Sequence, residues 1–66
     1  MKYPYPALNM YLKSMLGSTD LVNRWYESPN RAFDSRTPLE WIEAGGDTRA
    51  KVYKYVLAQT HDYIPQ

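Results

Sequence analysis

Helix-breaking residues constrain this chain more tightly than any other feature. Pro4 and Pro6 stand near the start, Gly17 and Pro29 interrupt the first half, Pro38 and the Gly45-Gly46 pair interrupt the second, and Pro65 lies at the end. Proline cannot donate a helical hydrogen bond and pushes the residue before it toward extended backbone. Glycine takes the left-handed conformation that commonly ends a helix. Only short elements fit between such stops. Inside them the apolar residues recur at spacings of three and four, which is helical periodicity. The spacing predicts an all-α fold: a compact bundle of about four short helices forming a single domain over residues 1–66.

The local signals place each helix. Leu8, Tyr11, Leu12, Met15 and Leu16 share one face of the first, with Asn9, Lys13 and Ser14 elsewhere on the wheel and Gly17 as its stop. Any of Ser18, Thr19 and Asp20 can cap the second, because each side chain accepts from a free backbone N–H. Its apolar face is Leu21, Val22, Trp25 and Tyr26, and Ser28-Pro29-Asn30 ends it. Asn30 to Arg36 reads as a connector with one helical turn around Ala32 and Phe33. Asp34-Ser35 is a turn pair, and Phe33 anchors the connector to the core. Thr37-Pro38-Leu39-Glu40 has the form of a capping box, with proline at the first helical position and glutamate three residues after the cap. Leu39, Trp41 and Ile42 are the apolar residues of that third helix. Asp47 is then expected to cap the last helix and to pair with Lys51 four residues on. Val52, Tyr53, Val56, Leu57 and Thr60 give this helix its face, and residues 59–66 read as a tail that frays from Thr60.

A 66-residue chain buries a small core and usually needs a staple. Cysteine is absent and His61 is the single histidine, which argues against disulfides and against a metal site alike. Association with another protein, or with a second copy as a homodimer, is the staple that remains. The prolines break the N-terminal stretch too early for a signal peptide. Nowhere do about 18 apolar residues run together, so no membrane span is expected. The cytoplasm is the expected location. A net charge of +1 is too small for a strong nucleic-acid binder, although Arg24, Arg31, Arg36, Arg49, Lys51 and Lys54 are basic and tyrosines can stack on bases. Seven tyrosines and two tryptophans suit a protein interface as well as they suit a small helical core.

No set of residues reads as catalytic, and no cofactor is implied. His61 and Asp62 are adjacent, so they do not share a helix face. Glu40 and Glu43 could share one, but the capping box already accounts for Glu40. The serines lack the nucleophile elbow of hydrolases. Gly45-Gly46-Asp47-Thr48 lacks the lysine spacing of a phosphate loop, and Asp47 would repel an anion there.

The ordered motifs resemble a known family. Trp25, Ser28-Pro29-Asn30, Ala32-Phe33, Thr37-Pro38-Leu39-Glu40-Trp41-Ile42, Gly46 and Val52, with Leu21 and Val22 before them, follow the pattern of the C-terminal toxin-binding domain of Xre/MbcA/ParS antitoxins. The resemblance covers residues 17–58. It departs at Asp34-Ser35, where relatives usually carry glycine, and in the tail, where relatives commonly carry another glycine. Relatives also have a DNA-binding helix-turn-helix region before this domain. The stretch from Met1 to Leu16 is too short for one, so either a stand-alone homologue or an excised domain is expected, without operon autoregulation by this chain alone.

The resemblance implies a non-catalytic antitoxin that docks on and inhibits an enzyme. In relatives that enzyme is a RES-type toxin, which degrades NAD, and the last helix and tail approach its active site. Carried over, the partner-binding residues are Tyr55, Gln59, His61, Asp62, Tyr63 and Ile64. Trp25, Pro29, Asn30, Phe33, Thr37, Pro38, Leu39 and Glu40 are structural. The alternative is a decoy or adaptor from a phage or mobile element that engages another host protein, such as a defence enzyme or regulator. A small nucleic-acid binder ranks third.

Overall fold

A computed structural model describes residues 2–63, of which 60–63 are described as backbone alone. The elements run α1 (Pro6–Leu16), α2 (Thr19–Glu27), a single 3-10 turn (Arg31–Phe33), α3 (Pro38–Ala44) and α4 (Gly46–Tyr63). The all-α expectation holds. Among the described residues the sole β-type pairing is an isolated antiparallel bridge between Asn30 and Arg36.

The expected punctuation is largely what forms. Pro6 opens α1, and the left-handed Gly17 (φ +89°) closes it by donating its N–H to the Lys13 carbonyl at 2.9 Å. Of the three candidate caps on α2, Ser18 acts: its Oγ accepts from the Leu21 N–H at 3.2 Å. Thr37 Oγ1 accepts likewise from the Glu40 N–H at 3.2 Å, with Pro38 buried behind it. The reciprocal half of the capping box does not form: the carboxylate of Glu40 is directed at Arg36, 3.8 Å from Nη1, and not at the Thr37 N–H.

Four further expectations need correction. Asp47 does not cap α4; the helix starts at Gly46, and Asp47 lies in its first turn, where its charge suits the helix dipole. The hydroxyl of Thr48 does the joining, its one proton shared between the carbonyls of Trp41 and Gly45, 2.8 Å away each. Lys51 lies over the Trp41 ring, with Nζ 5.8 Å from the centroid, and the Asp47–Lys51 ion pair is not formed. Helical backbone continues to Tyr63 rather than fraying from Thr60. Leu21 and Leu57 are 43% and 44% exposed, because each sits at the edge of its helix's apolar stripe rather than at its centre.

Each helix packs against two others: α4 on α3 and α1, and α2 on α1 and α3. The result is a closed ring of four helices around one core. Leu8 and Leu12 from α1, Val22 and Tyr26 from α2, Ile42 from α3, Val52 and Val56 from α4, and Phe33 from the connector are buried. Full burial of side chains this size stabilises by about 1.5–3 kcal/mol each before ordering costs are counted.

The connector is organised by Asn30. Its N–H donates to the Arg36 carbonyl at 3.0 Å, and its own carbonyl accepts from Phe33 and Ser35 at 2.9 and 3.0 Å. Its side chain accepts from the Ala32 N–H at 2.9 Å. These bonds close a tight loop that pushes Phe33 inward. Closing it forces Asp34 and Ser35 to positive φ, +55° and +62°.

Candidate functional site

The last helix was expected to carry the contact residues, so its two flanks matter. Val52 and Val56 form its buried line. Arg49 projects to the α1 side, its guanidinium carbon 5.7 Å from the Tyr5 ring centroid. Lys51 projects to the α3 side over Trp41. Tyr55, one turn beyond Lys51, continues that second flank.

The α1 flank is finished by the N-terminal residues. The segment from Lys2 to Tyr5 crosses α2, and the Tyr3 and Tyr5 rings pack on Tyr26 with centroids 4.6 and 5.9 Å away. Lys2 Nζ meets the Glu27 carboxylate at 2.7 Å, and the Tyr3 hydroxyl donates to the same oxygen. Those hydrogen bonds, from Lys2 first and then Tyr3, hold the Glu27 carboxyl below the usual carboxylate range. Asn9 ties the pieces together. Its Nδ2 donates to the Tyr3 carbonyl at 2.8 Å, and its Oδ1 accepts from the Tyr26 hydroxyl at 2.7 Å. Burial, with Tyr53 and Tyr5 nearby, pushes the Tyr26 hydroxyl well above the ordinary phenol range. It therefore stays a neutral donor across ordinary pH.

The α3 flank is built on Phe33. Trp25, Trp41 and Tyr55 converge on this one ring, with centroids 6.2, 5.2 and 5.2 Å away. Trp25 and Tyr55 meet it edge-on, while Trp41 tilts across it at 44°. Trp41 and Tyr55 remain half-exposed, so they form a shallow aromatic surface with Phe33 as its floor. Lys51 crosses the Trp41 part of it.

The predicted residues fall as follows. Tyr55 and Gln59 are half-buried, one turn apart on α4. The backbone of His61, Asp62 and Tyr63 extends the same helix, while their side chains, and the whole of Ile64, lie outside the described residues. Among the residues read as structural, Phe33 and Pro38 are buried, Trp25, Asn30, Thr37 and Leu39 are half-buried, and Pro29 and Glu40 are exposed. The parts played by Asn9, Lys51 and Trp41 are not legible in the sequence. The surplus of aromatic residues was the available signal, and it does not say which rings reach the surface.

Among the described residues no three His, Cys, Asp or Glu side chains gather as metal ligands, and no helix is long and apolar enough to cross a membrane. Taken together, the features are those of a small helical docking domain: a core completed by its own N-terminal residues and one flank that presents aromatic and cationic side chains. The chain belongs to the antitoxin Xre/MbcA/ParS family of C-terminal toxin-binding domains, whose family model matches residues 12–59. Comparison with curated proteins and with solved structures gave no match. The matched region begins inside α1 and includes Trp41, Lys51, Tyr55 and Gln59. The segment that roofs Tyr26 lies before it.

Proposed function

We propose that this chain is a non-catalytic antitoxin domain that docks on an enzyme and inhibits it, and that the enzyme is a RES-type, NAD-degrading toxin acting in the cytoplasm. The observation that carries this reading is membership of a toxin-binding family over residues 12–59. The placement of Tyr55 and Gln59 supports it. Tyr55 lies midway along α4 and Gln59 one turn nearer its end, and neither is sealed inside the core. A helix that leaves a closed ring of four can reach a partner's cleft without unfolding the ring. The contact residues on this reading are Tyr55, Gln59, His61, Asp62, Tyr63 and Ile64.

NAD consumption by a purified RES-type toxin tests the reading, with the intact chain and the chain truncated after Ala58 as inhibitors. The intact chain is expected to inhibit. The truncated chain keeps Tyr55 and every buried core residue, so it should retain the helical circular dichroism of the ring and lose inhibition. Equal inhibition by both chains would remove the contact role from residues 59–66. A toxin unaffected by the intact chain would remove the RES assignment.

A further inference from the structure

We propose that the α3 flank of α4, made of Trp41, Lys51 and Tyr55 over Phe33, is a second part of the docking surface and receives an acidic segment of a protein partner. This rests on the protein-docking reading above and extends it from the end of α4 to the middle of the helix.

Three observations lead to it. The first is composition. A half-exposed tryptophan, a half-exposed tyrosine and a cation occupy one contiguous patch, and aromatic anchors of this kind supply most of the energy at protein interfaces. The second is charge. Two ion pairs join described residues, Lys2–Glu27 and Arg36–Glu40, and neither involves Lys51 or Lys54. Both lysines are exposed, and they stand three residues apart on α4, hence as neighbours on its surface. The ring of Trp41 already holds the Lys51 ammonium in place, so less side-chain freedom is lost when a carboxylate meets it. The third is continuity. Lys51, Tyr55 and Gln59 succeed one another at intervals of one turn, so the patch runs directly into the proposed contact end of α4.

An acidic protein segment fits this patch better than a nucleic acid does. Base stacking needs an open ring face, and Trp41 has Lys51 over it and Phe33 against it.

The test is a titration of the full chain followed by NMR, with two probes: a short Glu/Asp-rich peptide carrying one phenylalanine, and a single-stranded oligonucleotide of equal charge. The peptide is expected to shift the Trp41 indole and the Lys51 and Tyr55 amides saturably at low salt. Lys51→Glu should weaken that binding by roughly tenfold, as reversal of a contact charge does. Lys51→Arg should retain it, and Lys13→Glu, an equal change in net charge on α1, should leave it unchanged. Circular dichroism confirms that each variant is folded. Tighter binding of the oligonucleotide, shifts located elsewhere, or equal losses from Lys51→Glu and Lys13→Glu would each overturn the proposal. So would the absence of any shift. The outcome is independent of NAD consumption, so the RES assignment and this surface can fail separately.

Discussion

On the α1 flank of α4, Arg49 lies over a tyrosine that belongs to the chain's own N-terminal segment, and beneath that segment Tyr26 is buried with its hydroxyl bonded to Asn9. On the α3 flank, Lys51 lies over a tryptophan that stays half-exposed. The two arrangements use the same pair of ingredients, a cation from α4 and an aromatic ring from elsewhere. What differs is what else reaches the ring. Tyr26 receives two tyrosine rings and a polar partner from other parts of the chain, whereas Trp41 and Tyr55 share one buried phenylalanine. The first flank spends its aromatic surface on folding. The second leaves part of it exposed, and that is the part proposed above as a docking surface.

The largest expected effect comes from breaking both flanks together. Phe33 is 1% exposed and touches Trp25, Trp41 and Tyr55, and Trp25 in turn packs on Tyr26 at 5.5 Å. Phe33→Ala should cost about 3–5 kcal/mol. A single core of this size supplies rarely more than about 3–5 kcal/mol in total. The variant is therefore expected to be largely unfolded at room temperature by circular dichroism. A cooperative thermal transition close to that of the parent would show that the two flanks do not share a joint.

Asn9→Ala breaks the α1 flank alone. It removes the acceptor of the buried Tyr26 hydroxyl and the donor to the Tyr3 carbonyl in one change. Stranding a buried hydroxyl costs about 1–3 kcal/mol. Urea denaturation should report that loss, with faster amide exchange in residues 2–5, while the Trp41 indole resonance stays where it was. Movement of that resonance would mean the flanks are coupled through the aromatic chain.

Asn9 also marks the limit of what the sequence makes legible. Helix number, stops and most caps are readable because they depend on neighbours within four residues: Ser18, Thr37 and Gly17 act as their local signals imply, whereas Asp47 falls inside the first turn of α4 instead of capping it. The core lines of α1 and α4 follow from periodicity. Contacts between elements do not, because periodicity assigns a residue to a face without saying what that face meets. Periodicity therefore puts Asn9 off the apolar face, yet it bonds the N-terminal segment to α2. The four-residue spacing pairs Lys51 with Asp47, yet the Trp41 ring across the Gly45-Gly46 turn takes it instead. Leu21 and Leu57 have the right spacing for burial and fall at the edge of it. At the candidate site the motifs name the family, while the identity of the exposed aromatics depends on how α3 and α4 are set against each other.

The smallest effect sharpens the comparison instead of breaking it. The connector that holds Phe33 under the α3 flank carries two non-glycine residues at positive φ, Asp34 at +55° and Ser35 at +62°. Aspartate tolerates this region because its short polar side chain can bond locally, whereas serine has less to offset the strain. These are the turn positions where the resemblance to the family leads one to look for glycine. Ser35→Gly should relieve the strain, partly offset by the greater freedom of glycine in the unfolded chain, for a net gain of about 0.5–1 kcal/mol. The Ser35 N–H bond to the Asn30 carbonyl uses the backbone alone and survives the change. A raised urea midpoint with unaltered Trp41 and Tyr26 resonances would place the strain in the connector and leave both flanks as they are. A lowered midpoint would mean that the serine side chain contributes to closing the loop, and that the connector tolerates its positive φ values at little cost.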